Sequence, residues 1–466
     1  MNIHIDFQKK KGKIKPMHGV GQAPIIGLND EMFHYLADAG IPYSRLHDVG
    51  GAFGGNLFVD IPNIFRNFDA DEKDASSYDF EFTDWLIARL YENNCTPVFR
   101  LGVTIENFHN VKAYRIFPPN DYDKWSSICE HIIKHYNEGW ANGFYYGIKY
   151  WEIWNEPDNG RDNTENQMWH GTSEEYYKLY EVTAKHLKKQ FGDTIMIGGY
   201  ASCGFRHIFS NPEKFGLSCN KSDDALYAGA RSAHFIDFFE GFFEYIKSHG
   251  VPIDFFSWHS YLSTEKTVMA ANYLDKRLKE FGFCTLETHL NEWNNVCEDR
   301  SDPLAMHDIA RAELGTSLAA AKSASMMCAM QNTKTQILCY YDARIGISDY
   351  AGMFNPITRK PFALYYAFKA FNELYKLGNQ AECSGFAEGD IYSLAAYSGD
   401  KKAVLITNIS NQDIHIKTNL DPELMVYVID ELHMLEKIDV DPLDFVASSG
   451  SVYLICNTLN DNVLSK

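Results

Sequence analysis

Residues 150–158 read YWEIWNEPD, a short aromatic run that ends in a carboxylate and a proline. The apolar half predicts a buried strand, and Pro157 ends it because proline lacks the amide hydrogen that sheet pairing needs. Glu156 is therefore predicted where a buried strand breaks into a loop, which in an α/β barrel is where catalytic side chains collect. The indoles of Trp151 and Trp154 predict a raised pKa for Glu156, as a general acid near neutral pH requires.

A second interpretation of this stretch involves no chemistry. In it, Asn155 caps a helix and Glu156 is solvated in the first turn. A downstream segment, residues 288–294 (THLNEWN), favours the chemical interpretation, because it also ends a short apolar stretch and places Glu292 between asparagine and tryptophan. Two glutamates at two predicted strand ends, in a chain rich in aromatic residues, fit the paired carboxylates of glycoside hydrolysis.

Several ordered segments resemble those of the clan A glycoside hydrolases, and within that clan the chain most resembles family 39, the β-xylosidase and α-L-iduronidase family. The segments lie in the order of the family's strands two, four, five, six, seven and eight: SRLHD at 44–48, WEIWNEPD at 151–158, IGGYAS at 197–202, DFFSWHSY at 254–261, LNEW at 290–293 and YYDAR at 340–344. Together they span most of residues 15–375. The resemblance implies a (β/α)8 TIM barrel and a retaining mechanism, with Glu156 as acid/base and Glu292 as nucleophile.

Further candidate site residues lie near the predicted strand ends, each with two interpretations. Asn155 matches the clan residue that hydrogen-bonds a sugar 2-hydroxyl, or it caps a helix. Tyr261 or His259 holds the nucleophile, or the tyrosine is a core residue with a satisfied hydroxyl. Arg45 either pairs with a carboxylate at the barrel mouth and depresses the nucleophile pKa, or forms a structural pair with Glu152.

The remaining candidates would line the sugar. His47 and Asp48 contact the sugar or only cap a loop, and Trp154 and Trp293 stack on the sugar or wall the site. Tyr341 is expected only to lie nearby.

No metal and no cofactor is expected. The four histidines that invite comparison with a metal site, His18, His47, His259 and His289, show no ligand spacing such as HExxH.

The composition excludes several classes of partner. The formal net charge of −19 repels phosphate backbones and anionic membranes, so neither nucleic acid nor a membrane is an expected partner. The aromatic content of 14% suits stacking on a carbohydrate. The chain has no run of 18 apolar residues, and its start lacks the basic-then-apolar order of a signal peptide. Ten cysteines without a CxxC pair predict reduced thiols and a cytoplasmic location. A homo-oligomer is left open.

The order of predicted elements indicates two units. Strands alternate with helices over residues 14–377, which predicts the (β/α)8 barrel. Within it, residues 203–232 predict an irregular loop, interpreted as a lid over the substrate. Short alternating runs separated by turns predict a small antiparallel β-sandwich over residues 378–466, joined by an N-terminal strand at residues 1–13.

The leading functional hypothesis is a retaining exo-glycosidase for small oligosaccharides or glycosides, with β-xylosidase-like activity. The same machinery could serve an α-L-arabinofuranoside, a β-glucoside, a β-galactoside or a uronide. A uronide would need a cation near the sugar carboxylate, for which Arg100, Arg161 and Arg344 are the candidates. A third hypothesis is a barrel that binds carbohydrate without turning it over.

Overall fold

The computed structural model describes residues 1–25, 31–49, 59–104, 116–160, 166–295, 312–345, 350, 352–385 and 389–459. After an N-terminal strand, β1 (Asn2–Lys13), eight parallel strands close into a barrel, as the sequence predicts. They are β2 (Gly19–Gly21), β3 (Tyr43–Leu46), β4 (Thr96–Leu101), β5 (Tyr150–Ile153), β6 (Met196–Ser202), β7 (Phe255–Ser260), β8 (Glu287–Trp293) and β9 (Thr335–Tyr341). The barrel closes where Val20 of β2 pairs with Tyr340 of β9. Strands such as β4 and β5 are almost wholly buried because a parallel barrel strand is covered on both faces.

Helices connect the barrel strands. In the described chain they are α1 (His34–Ala39), α2 (Ile61–Ile64), α3 (Glu81–Glu92), α4 (Tyr122–Glu138), α5 (Ser173–Phe191), α6 (Ala225–Ala228), α7 (Ala230–Ser248), α8 (Thr264–Phe281), α9 (Ser317–Met330) and α10 (Ala363–Leu377). Side-chain caps mark the starts of some of these helices: Asp121 accepts from the Lys124 amide at 2.9 Å at α4, and Thr172 and Glu175 form a capping box at α5. Every helix of the described residues is too short or too polar to cross a membrane.

The second unit is a nine-stranded sheet. It contains β1 together with β10 (Asn379–Ser384), β11 (Ile391–Ser398), β12 (Lys401–Asn408), β13 (Ile414–Thr418), β14 (Met425–Ile429), β15 (Met434–Ile438), β16 (Asp444–Ala447) and β17 (Ser451–Cys456). Strand β1 joins it, as expected, but pairs with β13 in parallel, Ile3 opposite Thr418. The pairs among β10 to β17 are all antiparallel, as predicted, and the added β1–β13 pair makes the sheet mixed. Helix α10 ends at Leu377 and β10 begins at Asn379; the division into two domains there stays a prediction.

Of the three apolar clusters among the described residues, the two largest support these units. One buries Ile3, Ile416 and Phe445 within the sheet. The larger one is continuous from the barrel helices into the sheet, since Ala324 of α9 and Leu405 of β12 belong to the same buried group. The sheet thus packs on the helical side of the barrel.

Several predicted boundaries need correction. Residues 203–232 are not an irregular loop: they contain 3-10 helices at Arg206–Ser210 and Pro212–Phe215, helix α6 and the start of α7. Helix α8 begins ten residues earlier than expected, and the sequence patterns missed β10, β15 and β16. The predicted helix at 302–331 is observed only as α9. The predicted cap at Asn29, the glycine-rich loop at 50–55, residues 302–311 and Arg161 lie outside the described residues.

Candidate active site

The two glutamates lie at the carboxyl-terminal ends of barrel strands, Glu156 three residues beyond β5 and Glu292 within β8. The chain turns sharply after β5, where Trp154 and Glu156 have φ values of 72° and 43°. Such left-handed backbone costs roughly 1–2 kcal/mol per residue. It is held in place because the Glu156 amide donates to the carbonyls of Tyr200 and Ala201 on β6, both at 3.1 Å.

His259 of β7 lies between the two carboxylates. One oxygen of Glu156, one oxygen of Glu292 and one ring nitrogen of His259 all lie within 4.8 Å of one another. Its Nδ1 is 2.8 Å from Oε1 of Glu156, and its Nε2 is 3.6 Å from Oε2 of Glu292. His259 was expected to hold Glu292, but its hydrogen bond is to Glu156.

Glu292 is held from two sides. The Tyr261 hydroxyl donates to Oε1, and Nη1 of Arg45 donates to Oε2 at 3.2 Å. Tyr261 is therefore the residue of the predicted pair that hydrogen-bonds this carboxylate.

Arg45 fulfils both of its predicted interpretations at once. Besides contacting Glu292, it donates through Nε to Oε2 of Glu152 at 2.8 Å and through Nη2 to Oδ1 of Asn155 at 2.5 Å. The helix-cap alternative for Asn155 does not apply, because α5 begins at residue 173 and is capped by Thr172. Since its Oδ1 faces Arg45, the Asn155 amide nitrogen points the other way.

A second polar group lies beside these residues. Nε2 of His47 is 3.1 Å from Oδ1 of Asp48, and the Tyr341 hydroxyl donates to Oδ2 of Asp48 at 2.9 Å. Gln22, which no sequence motif indicated, donates to the same Tyr341 hydroxyl at 3.1 Å. Burial raises the pKa of Asp48, and the hydrogen bond from Tyr341 lowers it in part.

The two tryptophans are buried in aromatic packing. Trp154 is 1% exposed, its ring centroid lies 5.1 Å from that of Trp169, and its Nε1 donates to the Met168 carbonyl at 2.7 Å. Trp293 is fully buried, edge-on to Tyr340 at 5.1 Å. Such burial favours a wall over a platform for a sugar face.

The pKa of Glu156 is governed by His259. Burial raises this pKa, but the hydrogen bond and the charge of His259 outweigh burial and, with Arg231 and Asn159, bring the pKa below its usual range. The raised pKa expected from the indoles of Trp151 and Trp154 is therefore wrong, and the Trp154 ring packs against Trp169.

The pKa of Glu292 is shifted in the opposite direction. Burial raises it, the charge of His259 opposes burial, and the charge of Glu156 raises it again, while Arg45 and Tyr261 lower it. The net pKa lies above the usual range of a glutamate. The order of the two carboxyl pKa values is thus opposite to the order expected from the sequence.

Asp158 anchors the loop that carries Glu156. Its Oδ2 accepts from the Ser202 hydroxyl at 2.7 Å, and its Oδ1 accepts from the Cys203 amide at 3.1 Å. Burial and the charge of Glu156 raise the pKa of Asp158 to about 7, although the Ser202 hydrogen bond lowers it in part. Asp158 is the last residue of the YWEIWNEPD segment, but sequence reasoning assigned it no role.

Asn159 and Arg231 are two further residues that sequence reasoning missed. Asn159 donates to Oε2 of Glu156, and Arg231, at the start of α7, donates to Asn159. In the sequence, the only indication for Asn159 is that it is a polar residue three positions after Glu156. Arg231 carried none, because its place near Glu156 results only from the packing of α7.

Among the described residues, Glu156, His259 and Glu292 are the group whose spacing could hold a metal ion. Donors from protein side chains already occupy all four carboxylate oxygens, so a cation would have to displace them. The histidines singled out in the sequence are dispersed: His18 contacts the Gly40 carbonyl at 3.0 Å, and His289 stacks on Phe255.

Comparison with known proteins places this site in context. The chain is 26% identical to a β-xylosidase of Caldicellulosiruptor saccharolyticus over 341 residues, 66% of this chain and 58% of that protein. It is 26% identical to a β-xylosidase of Geobacillus stearothermophilus over 221 residues, 45% of this chain and 36% of that protein. The chain therefore spans less than two thirds of the length of either relative.

The fold has solved counterparts. A glucosidase from Croceicoccus marinus matches with a TM-score of 0.74 at 18% identity, covering 98% of this chain and 99% of that chain. The sequence profile described as Glycosyl hydrolases family 39 matches residues 35–375, which include both glutamates. The chain belongs to glycosyl hydrolase family 39.

Proposed function

We propose that this protein is a retaining glycosidase in which Glu292 is the nucleophile and Glu156 the acid/base. The observation that carries the proposal is the spacing of at most 4.8 Å between an oxygen of Glu156 and an oxygen of Glu292. Retaining enzymes have carboxyl groups about 5–5.5 Å apart, whereas inverting enzymes keep roughly 6.5–9.5 Å for a water molecule. The gap between these carboxylates leaves no room for that water.

The contacts of Glu292 suit a nucleophile. Arg45 and Tyr261 orient the two oxygens, so one carboxylate face is presented to the anomeric carbon in a fixed geometry. Both donors also favour the ionised form. The nitrogen of Asn155, turned away from Arg45, is available to donate to the sugar 2-hydroxyl, a contact that strengthens in the transition state.

His259 supplies the proton that Glu156 needs. Its Nδ1 faces Oε1 of Glu156 at 2.8 Å, so the proton passes along one hydrogen bond when a leaving oxygen approaches. Glu156 then protonates that oxygen, and Glu292 forms the glycosyl-enzyme bond. In the second step Glu156 takes a proton from water, which attacks the anomeric carbon and restores Glu292.

We assign the substrate to small β-xylosides, cleaved from one end of the chain. The support is that both curated relatives are β-xylosidases. A uronide is disfavoured because Arg100 is paired with Asp60 at 2.6 Å and Arg344 with Asp342 at 2.9 Å. Both candidates that lie among the described residues are therefore already paired with a carboxylate. The β-glucoside, β-galactoside and α-L-arabinofuranoside alternatives are compared with the β-xyloside in the experiment below.

The test is a panel of 4-nitrophenyl glycosides carrying each of these sugars and a glucuronide. The wild type should release nitrophenol fastest from the β-xyloside, and proton NMR should show the β-anomer of xylose as the first product. Glu156→Gln and Glu292→Gln are the controls, and both should lose hydrolysis of xylobiose. First formation of the α-anomer would overturn retention, and sugar binding without turnover on every glycoside would favour a binding barrel.

A further inference from the structure

The side-chain amide of Asn159 lies between two charged groups. Asn159 is buried, on the loop that follows β5. Its Nδ2 donates to Oε2 of Glu156, and its Oδ1 accepts from Nη2 of Arg231. Arg231 also donates through Nε to the backbone carbonyl of Asn159 at 2.6 Å. The three residues therefore form a chain from helix α7 to the proposed acid/base.

Arg231 decides which way this amide faces. An asparagine side chain can be turned over, exchanging its oxygen and nitrogen. A guanidinium group has only donors, so the atom facing Arg231 must be the oxygen of Asn159. The second bond, to the backbone carbonyl, keeps the guanidinium in place. The nitrogen of Asn159 is consequently directed at Glu156.

A donor fixed on Oε2 restricts where Glu156 can carry its own proton. Protonation of Oε2 would weaken it as the acceptor of the Asn159 amide hydrogen bond, whereas Oε1 faces Nδ1 of His259, a group that can give up a proton. We propose that Arg231 and Asn159 are positioning residues that assign the catalytic proton of Glu156 to Oε1, the oxygen served by His259. This inference rests on the proposed acid/base function of Glu156.

The arrangement has a measurable consequence for acidity. The hydrogen bond from Asn159 and the charge of Arg231 both favour ionised Glu156 and lower its pKa. Other groups also face this carboxyl, and they are His259 on β7, Glu292 on β8, Cys203 after β6 and Asp158 on the same loop. These remain in variants of Asn159 or Arg231, so the effect of the amide can be isolated.

The experiment is the pH dependence of kcat/KM on the preferred glycoside with an alkyl leaving group, which needs full protonation. The basic side of this profile reports loss of the proton that Glu156 and His259 share. Asn159→Ala should move it upward by roughly one pH unit, since a hydrogen bond to the ionised form is lost. Arg231→Met should move it in the same direction, because the freed amide can turn over. Arg231→Lys keeps a donor and should restore the wild-type profile.

The matched control is Arg277→Met. Arg277 also binds helix α7, through Glu240, and its loss should leave the profile unchanged. Circular dichroism verifies folding of each variant, and Arg231→Met replaces an exposed side chain, so it provides the test if Asn159→Ala does not fold. Unshifted profiles in both variants, or an equal shift in Arg277→Met, would overturn the inference. If Glu156→Gln still hydrolyses the alkyl glycoside, the proposed function fails instead.

Discussion

The hydroxyl of Tyr261 donates to one oxygen of Glu292 while Arg45 donates to the other. The carboxylate is thus held between a neutral donor, which follows the neighbouring strand β7, and a cation on β3, which is not adjacent to β8. Of the two, the neutral donor can be removed without leaving a buried charge unpaired. Tyr261 therefore offers the cleaner probe of the nucleophile.

Tyr261→Phe should weaken catalysis by making Glu292 less acidic. Loss of the hydroxyl removes a hydrogen bond to the ionised form, so the Glu292 pKa rises and the acidic side of the kcat/KM profile moves to higher pH. Near neutral pH the loss in kcat/KM should be roughly 10- to 100-fold. Tyr245→Phe, which removes a hydroxyl bonded to Glu181 at 2.8 Å, is the control and should be silent. An acidic side that stays in place would show that Tyr261 does not tune Glu292.

Glu292→Ala should abolish turnover on every glycoside, because no glycosyl-enzyme bond can form. Added azide can occupy the vacated space and attack the anomeric carbon directly. The glycosyl azide should then have inverted configuration, which proton NMR of the product determines. A product of retained configuration would show that Glu292 is not the nucleophile.

Glu156→Ala should behave differently on activated and unactivated substrates. A 4-nitrophenyl leaving group needs little protonation, so its release in the first step survives while hydrolysis of the intermediate slows. Azide needs no base, and it should accelerate turnover and yield a glycosyl azide of retained configuration. Alkyl glycosides should lose most of their turnover. Equal losses on both kinds of substrate would argue against the acid/base role.

The sequence predicted those features that depend on local pattern. The apolar run of 150–153 and the proline after Glu156 are sufficient to place a strand and its end, and a short apolar stretch likewise places Glu292 near the end of β8. The barrel follows because such runs alternate with amphipathic helices. The fold and the two glutamates therefore depend on short-range information.

Contacts between distant segments were not predictable in the same way. Arg231 reaches the loop of Glu156 only because α7 packs beside it, and β1 finds β13 across more than 400 residues. The sequence also does not show which way a side chain points. Trp154 lies two residues before Glu156, yet its ring packs against Trp169. His259 takes its place beside the carboxyl, which is why the pKa expectation had the wrong sign.

Arg45→Met should destabilise the fold strongly. Arg45 is 1% exposed and neutralises Glu152, which is fully buried, as well as Glu292. Removing one partner of a buried ion pair typically costs about 3–5 kcal/mol in the free energy of unfolding. Urea denaturation measures this loss. Arg66→Met, which breaks a surface pair with Asp79, should cost at most about 1 kcal/mol. Equal losses in the two variants would mean that Arg45 is not the buried counter-ion inferred from its contacts.

Asp158→Asn should change how stability depends on pH. A carboxyl whose pKa is raised on folding, from 3.8 to about 7, stabilises the fold fully below its unfolded pKa, and this contribution is lost as the pH rises through about 7. Asparagine stays neutral, can still accept from the Cys203 amide and can donate to the Ser202 hydroxyl. The decline in unfolding free energy between about pH 4 and 7 should therefore become shallower. Part of this decline in unfolding free energy should persist in the variant, because burial also raises the pKa of Asp342 to about 7.

Urea unfolding at several pH values measures this difference between Asp158→Asn and the wild type. The matched control, Asp400→Asn, changes an exposed carboxylate in the turn between β11 and β12 and should leave the slope unchanged. The fold tolerates the buried acid because Ser202 and Cys203 both bind its oxygens. Parallel curves for Asp158→Asn and the wild type would show that Asp158 is already ionised at acidic pH, and that the loop of Glu156 is anchored by a carboxylate rather than by a neutral acid.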